Sequence, residues 1–157
     1  MTETDVVEVE EIKRLKHRYL RAVDQKRWDV LEAALAEDAV ADYGTRAMGE
    51  PLVLTGRAAI LEFMRQNLGG DRIVTFHFCG QPEIDVDGDA ATGTWAFQDT
   101  VIVTERRLVI KGAAYYEEEY VRSPGDGWRI RHITYNRIYE VTVSMDDLPS
   151  MRFLAGV

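Results

Sequence analysis

Ala90-Ala91-Thr92-Gly93-Thr94-Trp95-Ala96-Phe97-Gln98-Asp99-Thr100-Val101-Ile102-Val103-Thr104 is the stretch that decides the architecture. Gly93, Trp95, Phe97, Asp99, Val101 and Val103 fall on one side of a period-two pattern, and Thr92, Thr94, Gln98 and Thr100 on the other. That alternation, in β-branched and aromatic residues, reads as a strand with one buried face. The same texture runs from Arg72 onward, broken by turn signals at Asp87-Gly88-Asp89 and Ser123-Pro124-Gly125-Asp126-Gly127. A weaker turn falls at Glu105-Arg106-Arg107. The strands expected are 72–79, 82–87, 90–104, 107–122 and 128–142.

Upstream of this run the period changes. Ile12, Leu15, Tyr19, Ala22 and Val23 recur at three- and four-residue steps, the apolar stripe of a helix. Glu10, Glu11, Lys13, Arg14, Lys16 and Arg18 are expected on its other face. A shorter helix is expected from Trp28 to Ala36. Ala39 to Thr55, with Gly44, Gly49 and Pro51, reads as loop or short strands. Gly56-Arg57 opens a third helix carrying Ile60, Phe63, Met64 and Leu68, which Gly69-Gly70 ends. Helices followed by antiparallel strands predict an α+β domain, with helices packed on one face of a curved sheet. A sheet curled around helices leaves a conical cavity suited to a small molecule.

Composition narrows the function classes. The chain has 157 residues, which fits one domain spanning 1–157, with a core over 8–142 and a tail over 143–157. Lys plus Arg number 19 against 27 Asp plus Glu, a net charge of −8. That balance argues against nucleic acid and against an anionic membrane surface as partners. The single cysteine, Cys79, forms no intramolecular disulfide and fits a reducing compartment. The acidic start Met1-Thr2-Glu3-Thr4-Asp5 does not read as a signal peptide, and no apolar run is long enough to span a bilayer. A cytoplasmic protein is the expectation.

Few residues can carry chemistry. Asp99 is a carboxylate in line with Trp95, Phe97 and Val101, so it needs a partner or a raised pKa. It is either functional or a structural aspartate held by a backbone amide or an arginine. His77, in Thr75-Phe76-His77-Phe78-Cys79, is a general base if a carboxylate such as Asp99 orients it from a neighbouring strand, and otherwise a core histidine. Tyr19 is a core aromatic or a phenol aimed into the cavity. Asp24 lies five residues on, about 140° around a straight helix, and is alternatively a cap for the helix near Trp28. Arg137 shares parity with Ile133, Tyr135 and Tyr139 and would hold a carboxylate if it points inward. No ligand spacing for a metal, no phosphate loop and no nucleophile elbow is present in the sequence. Glu117-Glu118-Glu119 alternates faces and reads as an edge or interface charge cluster.

These residues also carry a resemblance. Ile12 through Tyr19, then Asp24 ahead of Trp28-Asp29, His77 to Ile84, Thr92-Gly93-Thr94-Trp95 leading to Asp99, and Arg137-Ile138-Tyr139-Glu140 resemble the SnoaL-like branch of the nuclear transport factor 2-like (NTF2-like) superfamily. Within it the chain is most similar to the bile-acid 7α-dehydratases and more distantly to scytalone dehydratase. The resemblance runs from about Glu11 to Glu140. It implies a cone-shaped α+β barrel, a trimer or another homo-oligomer, and a site of Tyr19, Asp24, His77, Asp99 and Arg137. The implied activity is dehydration, without metal or organic cofactor, of a hydroxylated, carbonyl-activated apolar substrate. Such a substrate is steroid- or polyketide-like, as the free compound or a CoA thioester. In that scheme Asp99 orients His77, Asp24 tunes Tyr19, and Arg137 holds Asp99 or a substrate carboxylate. The alternatives are a ketosteroid isomerase or cyclase in the same cavity, or a non-catalytic binder, against which the full set of five residues weighs.

Overall fold

The computed structural model describes residues 3–44 and 50–154. Helix α1 spans Glu3–Asp24, α2 spans Trp28–Ala34 and α3 spans Arg57–Leu68. The strands are β1 Leu35–Asp42, β2 Val53–Thr55, β3 Ile73–Asp87, β4 Ala90–Val103, β5 Leu108–Ser123 and β6 Gly127–Ser144. They form a six-stranded sheet in the order β2-β1-β6-β5-β4-β3. β1 runs parallel to β6 and every other pair is antiparallel, so the sheet is mixed. This is the α+β architecture anticipated from the sequence.

Local chemistry explains the joints. Gly88 takes φ +61° in the tight β3–β4 turn, and Gly125 and Gly127 take +84° and +74° in the β5–β6 turn. The expected strands 72–79 and 82–87 are one strand. The register shifts between Gly80 and Glu83, where Gln81 adopts φ +50°, so a bulge bends β3 without ending it. The 39–55 segment supplies β1's second half and the whole of β2, while residues 45–49 lie outside the described residues. In the tail, Met145 is buried in a short 3₁₀ turn and Leu154 is exposed.

The interior lies between α1, α3 and the concave face of the sheet. On α1, Ile12, Leu15, Lys16, Tyr19, Leu20 and Val23 are all buried. Lys16 was expected on the solvated face and is instead fully buried. Positions 12, 16, 19, 20 and 23 share one stripe at 3.6 residues per turn, so Lys16 follows the helix period rather than its own polarity. None of the described helices is long and apolar enough to cross a membrane.

Candidate active site

The antiparallel register lays the inward side chains out in rows. His77, Asp99, Gly112 and Glu140 form one row across β3, β4, β5 and β6. Cys79, Phe97, Ala114 and Arg137 form the next, and Trp95, Tyr116 and Tyr135 the one after. Glu118 and Ile133 lie one row deeper. Asp24, His77, Arg137 and Glu140 retain 13%, 14%, 14% and 25% side-chain exposure, so the first rows sit at an open end of the interior.

His77 and Asp99 are cross-strand neighbours as anticipated, but they are not the hydrogen-bonded pair. Asp24, at the C-terminal end of α1, reaches β3. Its carboxylate accepts from His77 Nδ1 at 2.7 Å, from the His77 backbone N–H at 2.9 Å and from Thr75 Oγ1 at 2.8 Å. This corrects the sequence expectation twice. Asp24 orients His77 rather than tuning Tyr19, and the N-cap of α2 is Arg27, with no side-chain cap hydrogen bond. The helix geometry already separated Tyr19 from Asp24 by about 140°, and no bend brings them together. With Nδ1 donating to Asp24, the His77 Nε2 lone pair has no partner among the described residues.

Asp99 instead belongs to Arg137. The guanidinium meets it with two bonds, Nη1 to Oδ1 at 2.5 Å and Nη2 to Oδ2 at 2.9 Å, and Nη2 lies 3.4 Å from Glu140 Oε2. Such a bidentate pair is the strong form of a charge-assisted bond. Burial works against the Arg137 charge, but the Asp99 hydrogen bonds and charge outweigh it and hold its pKa above the ordinary value. Gly112 makes this arrangement possible: a Cβ there would lie 2.3 Å from Arg137 Nη1. Arg137 Nε is sealed from solvent and has no partner among the described residues.

The Tyr19 hydroxyl faces that of Tyr43 at 2.7 Å, and Tyr135 OH donates to the Tyr43 carbonyl at 3.1 Å. Burial pushes the pKa of Tyr19 and of Tyr43 well above the ordinary 10.0, so both remain neutral hydrogen-bond donors. Phe97 stacks on Tyr116 at 4.0 Å, and Tyr135 meets both rings edge-on. The result is an aromatic box behind the His77 row.

The sequence reads Glu118 with its neighbours as an edge or interface charge cluster. Glu117 and Glu119 are exposed, but Glu118 is buried and bonded to Lys16 and Tyr120, and Tyr120 accepts from Trp95 Nε1 at 2.8 Å. Tyr43, Gly112, Lys16 and Glu118 are the residues that sequence reasoning missed. Tyr43 was visible as the third member of the alternation Ala39, Ala41, Tyr43, all buried in the structure. The described residues contain no cluster of three or more His, Cys, Asp and Glu side chains able to hold a metal ion.

Residues 5–134 match the SnoaL-like domain. The chain belongs to this family. An uncharacterised protein from Mycobacterium tuberculosis is 35% identical over 122 residues, covering 76% of this chain and 78% of that protein. Among solved structures, a Novosphingobium aromaticivorans protein provisionally named scytalone dehydratase superposes with TM-score 0.79 at 21% identity, covering 90% of this chain and 91% of that one. A hexachlorocyclohexane dehydrochlorinase, LinA type 2, superposes at 0.77 and 18% identity, over 98% and 97% of the two chains. An NTF2-like protein from Salmonella enterica serovar Typhimurium superposes at 0.73 and 20% identity, over 85% and 92%. The SnoaL-like chain therefore has the NTF2-like fold, and proteins of that fold include a dehydrochlorinase by name.

Proposed function

We propose that this SnoaL-like chain is a cofactor-independent lyase that eliminates water from a hydroxylated, carbonyl-activated apolar substrate. The observation that carries the reading is the Asp24–His77 pair. It leaves one imidazole lone pair without a partner among the described residues, at the open end of an aromatic interior. A carboxylate on Nδ1 fixes the tautomer and makes Nε2 the basic atom.

His77 Nε2 removes a proton made acidic by a conjugated carbonyl, and the C–H electron pair becomes part of an enolate. Tyr19, backed by Tyr43, donates a hydrogen bond to the carbonyl oxygen as its charge grows. The enolate then expels hydroxide from the neighbouring carbon, and the proton on Nε2 returns to that oxygen, so water leaves and His77 is restored. The Asp99–Arg137 pair lies in the adjoining positions and, with its charges matched, helps to orient the substrate. The rings of Phe97, Tyr116 and Tyr135 suit a flat, apolar skeleton such as a steroid.

The test is ultraviolet absorbance with a panel of 7-hydroxylated 4-en-3-one steroids, as free acids and CoA thioesters. Elimination extends the conjugation and moves the absorbance to longer wavelength. Loss of that shift in His77→Ala supports the reading, since general-base catalysis contributes about 10²–10⁴-fold. Unchanged turnover in His77→Ala refutes it. Product mass separates elimination from isomerisation, which loses no water.

We also propose that the chain self-associates through the convex face of the sheet. Phe76, Phe78 and Ile138 are 64%, 64% and 65% exposed there, and Tyr115 and Val141 join them. A groove of about 430 Å³ lined by Gly80, Ala96, Ala113 and Gln98 lies beside these protruding side chains. An apolar face with both knobs and a hollow suits a second copy of itself.

A further inference from the structure

Tyr116 lies two rows deeper than His77. Its residue is only 4% exposed, yet its hydroxyl has no hydrogen-bond partner among the described residues. Unlike Arg137 Nε, it is not sealed off completely. Buried hydroxyls are normally paired, and one left open points to a ligand group that completes it.

The surroundings of the ring are equally specific. Phe97 covers one face of Tyr116 at 4.0 Å between centroids, and the Lys16 ammonium lies 3.3 Å from the ring centroid on the other face. The same ammonium is 5.0 Å from the Tyr19 ring, and Tyr135 packs on both Tyr116 and Tyr43. The phenols of Tyr19, Tyr43 and Tyr116 therefore cluster around one place. Lys16 and Glu118 are both fully buried, and Tyr120 and Trp95 extend the network behind them. A buried ion pair is a poor way to add stability, because apolar residues of the same volume do as well or better. A cation beneath a phenol ring, by contrast, draws density from it and strengthens its O–H as a donor.

We infer that Tyr116 is a second donor to the substrate carbonyl oxygen, beside Tyr19, with Lys16 as the positioning residue that holds and polarises its ring. This rests on the reading of the site as an elimination site.

The experiment compares androst-4-en-3-one with the same steroid lacking the C3 oxygen, by quenching of intrinsic fluorescence. Tyr116→Phe is expected to weaken the ketone about three- to tenfold and leave the deoxy compound unchanged. Lys16→Met/Glu118→Gln removes the charges as a pair and keeps Tyr116. It is expected to weaken the ketone alone, by a smaller factor. A purely structural role for Lys16 would weaken both ligands together. Equal affinities of wild type and Tyr116→Phe for the ketone overturn the inference. Failure of wild type to bind either steroid overturns it together with the elimination reading. Ketone-selective loss without any turnover by wild type keeps Tyr116 as a carbonyl donor and removes only the lyase assignment.

Discussion

His77 and Asp99 stand opposite each other in the β3–β4 ladder, and each is bonded to a residue from a different element. His77 takes its carboxylate from α1, and Asp99 takes its guanidinium from β6. The site thus holds two separate charge pairs side by side instead of one His–Asp dyad on neighbouring strands.

That division predicts different phenotypes for the two carboxylates. Asp24→Asn keeps the side chain's size but allows the wrong imidazole tautomer, so kcat falls about 10²–10⁴-fold. Asp99→Asn leaves the base intact and weakens the hold on Arg137. Its loss is smaller and falls on kcat/KM through substrate placement. Steady-state kinetics on both variants checks the order, and a larger kcat loss in Asp99→Asn would reverse the assignment.

Gly112→Ala tests the Arg137 geometry without touching a charged group. The added Cβ would meet Arg137 Nη1 at 2.3 Å, Cζ at 2.8 Å and the Tyr139 carbonyl oxygen at 3.0 Å. Overpacking of this kind costs about 1–3 kcal/mol. The expected result is a modest drop in unfolding free energy with a much larger fall in activity, read by denaturant titration and kinetics. Full activity would mean that the Asp99–Arg137 pair is dispensable.

Alkaline pH has a defined effect on stability. Burial raises the pKa of Tyr19, Tyr43, Tyr116 and Tyr120 above the ordinary 10.0. The unfolded chain releases these protons near pH 10 while the native state keeps them, so stability present below pH 10 is lost as pH rises beyond it. Lys16, pushed below 10.5 by burial, acts in the opposite direction. Four phenols outweigh one ammonium. Tyrosinate absorbance and loss of circular dichroism are expected to rise together in one cooperative step above pH 10. Independent titration of all tyrosines in a folded protein would contradict this.

Lys16→Met alone leaves Glu118 charged, buried and without its cation. Breaking a buried pair in this way costs about 3–5 kcal/mol, whereas removing both charges is close to neutral. Thermal unfolding is expected to show a large loss for Lys16→Met and substantial recovery in Lys16→Met/Glu118→Gln. Equal destabilisation in the two would argue that the amine's packing, not its charge, matters.

Self-association is checked by mass. A single chain is 17.9 kDa. Light scattering is expected to give a multiple of that value for wild type and a reduced multiple for Ile138→Lys, which places a charge on the exposed apolar face. A monomeric wild type would remove the proposed interface.

The helices and the run of long strands were legible because their periods are clear, 3.6 in α1 and α3 and 2 from Ile73 onward, whereas β1 and β2, in a stretch broken by Gly44 and Pro51, were open between loop and short strands. The β3 bulge was not, since Gly80-Gln81-Pro82 reads as a break and only pairing with β4 carries the strand through it. The five expected site residues all point inward, because parity along a strand and phase around a helix are local properties. Their partners were not legible. Asp24 and His77 are 53 residues apart, and which carboxylate the imidazole meets depends on how α1 lies across the sheet edge. Lys16 shows the other limit: it was assigned by its charge, although its helical phase placed it with Ile12 and Tyr19.

β3 is the last strand of the sheet, and among the described residues no further strand bonds its outer edge. Asp24 accepts the His77 backbone N–H there as well as the ring. One carboxylate therefore satisfies a backbone donor of an edge strand, the kind of group through which another chain could add itself. Removing that carboxylate would release the strand edge and the imidazole together at this one point.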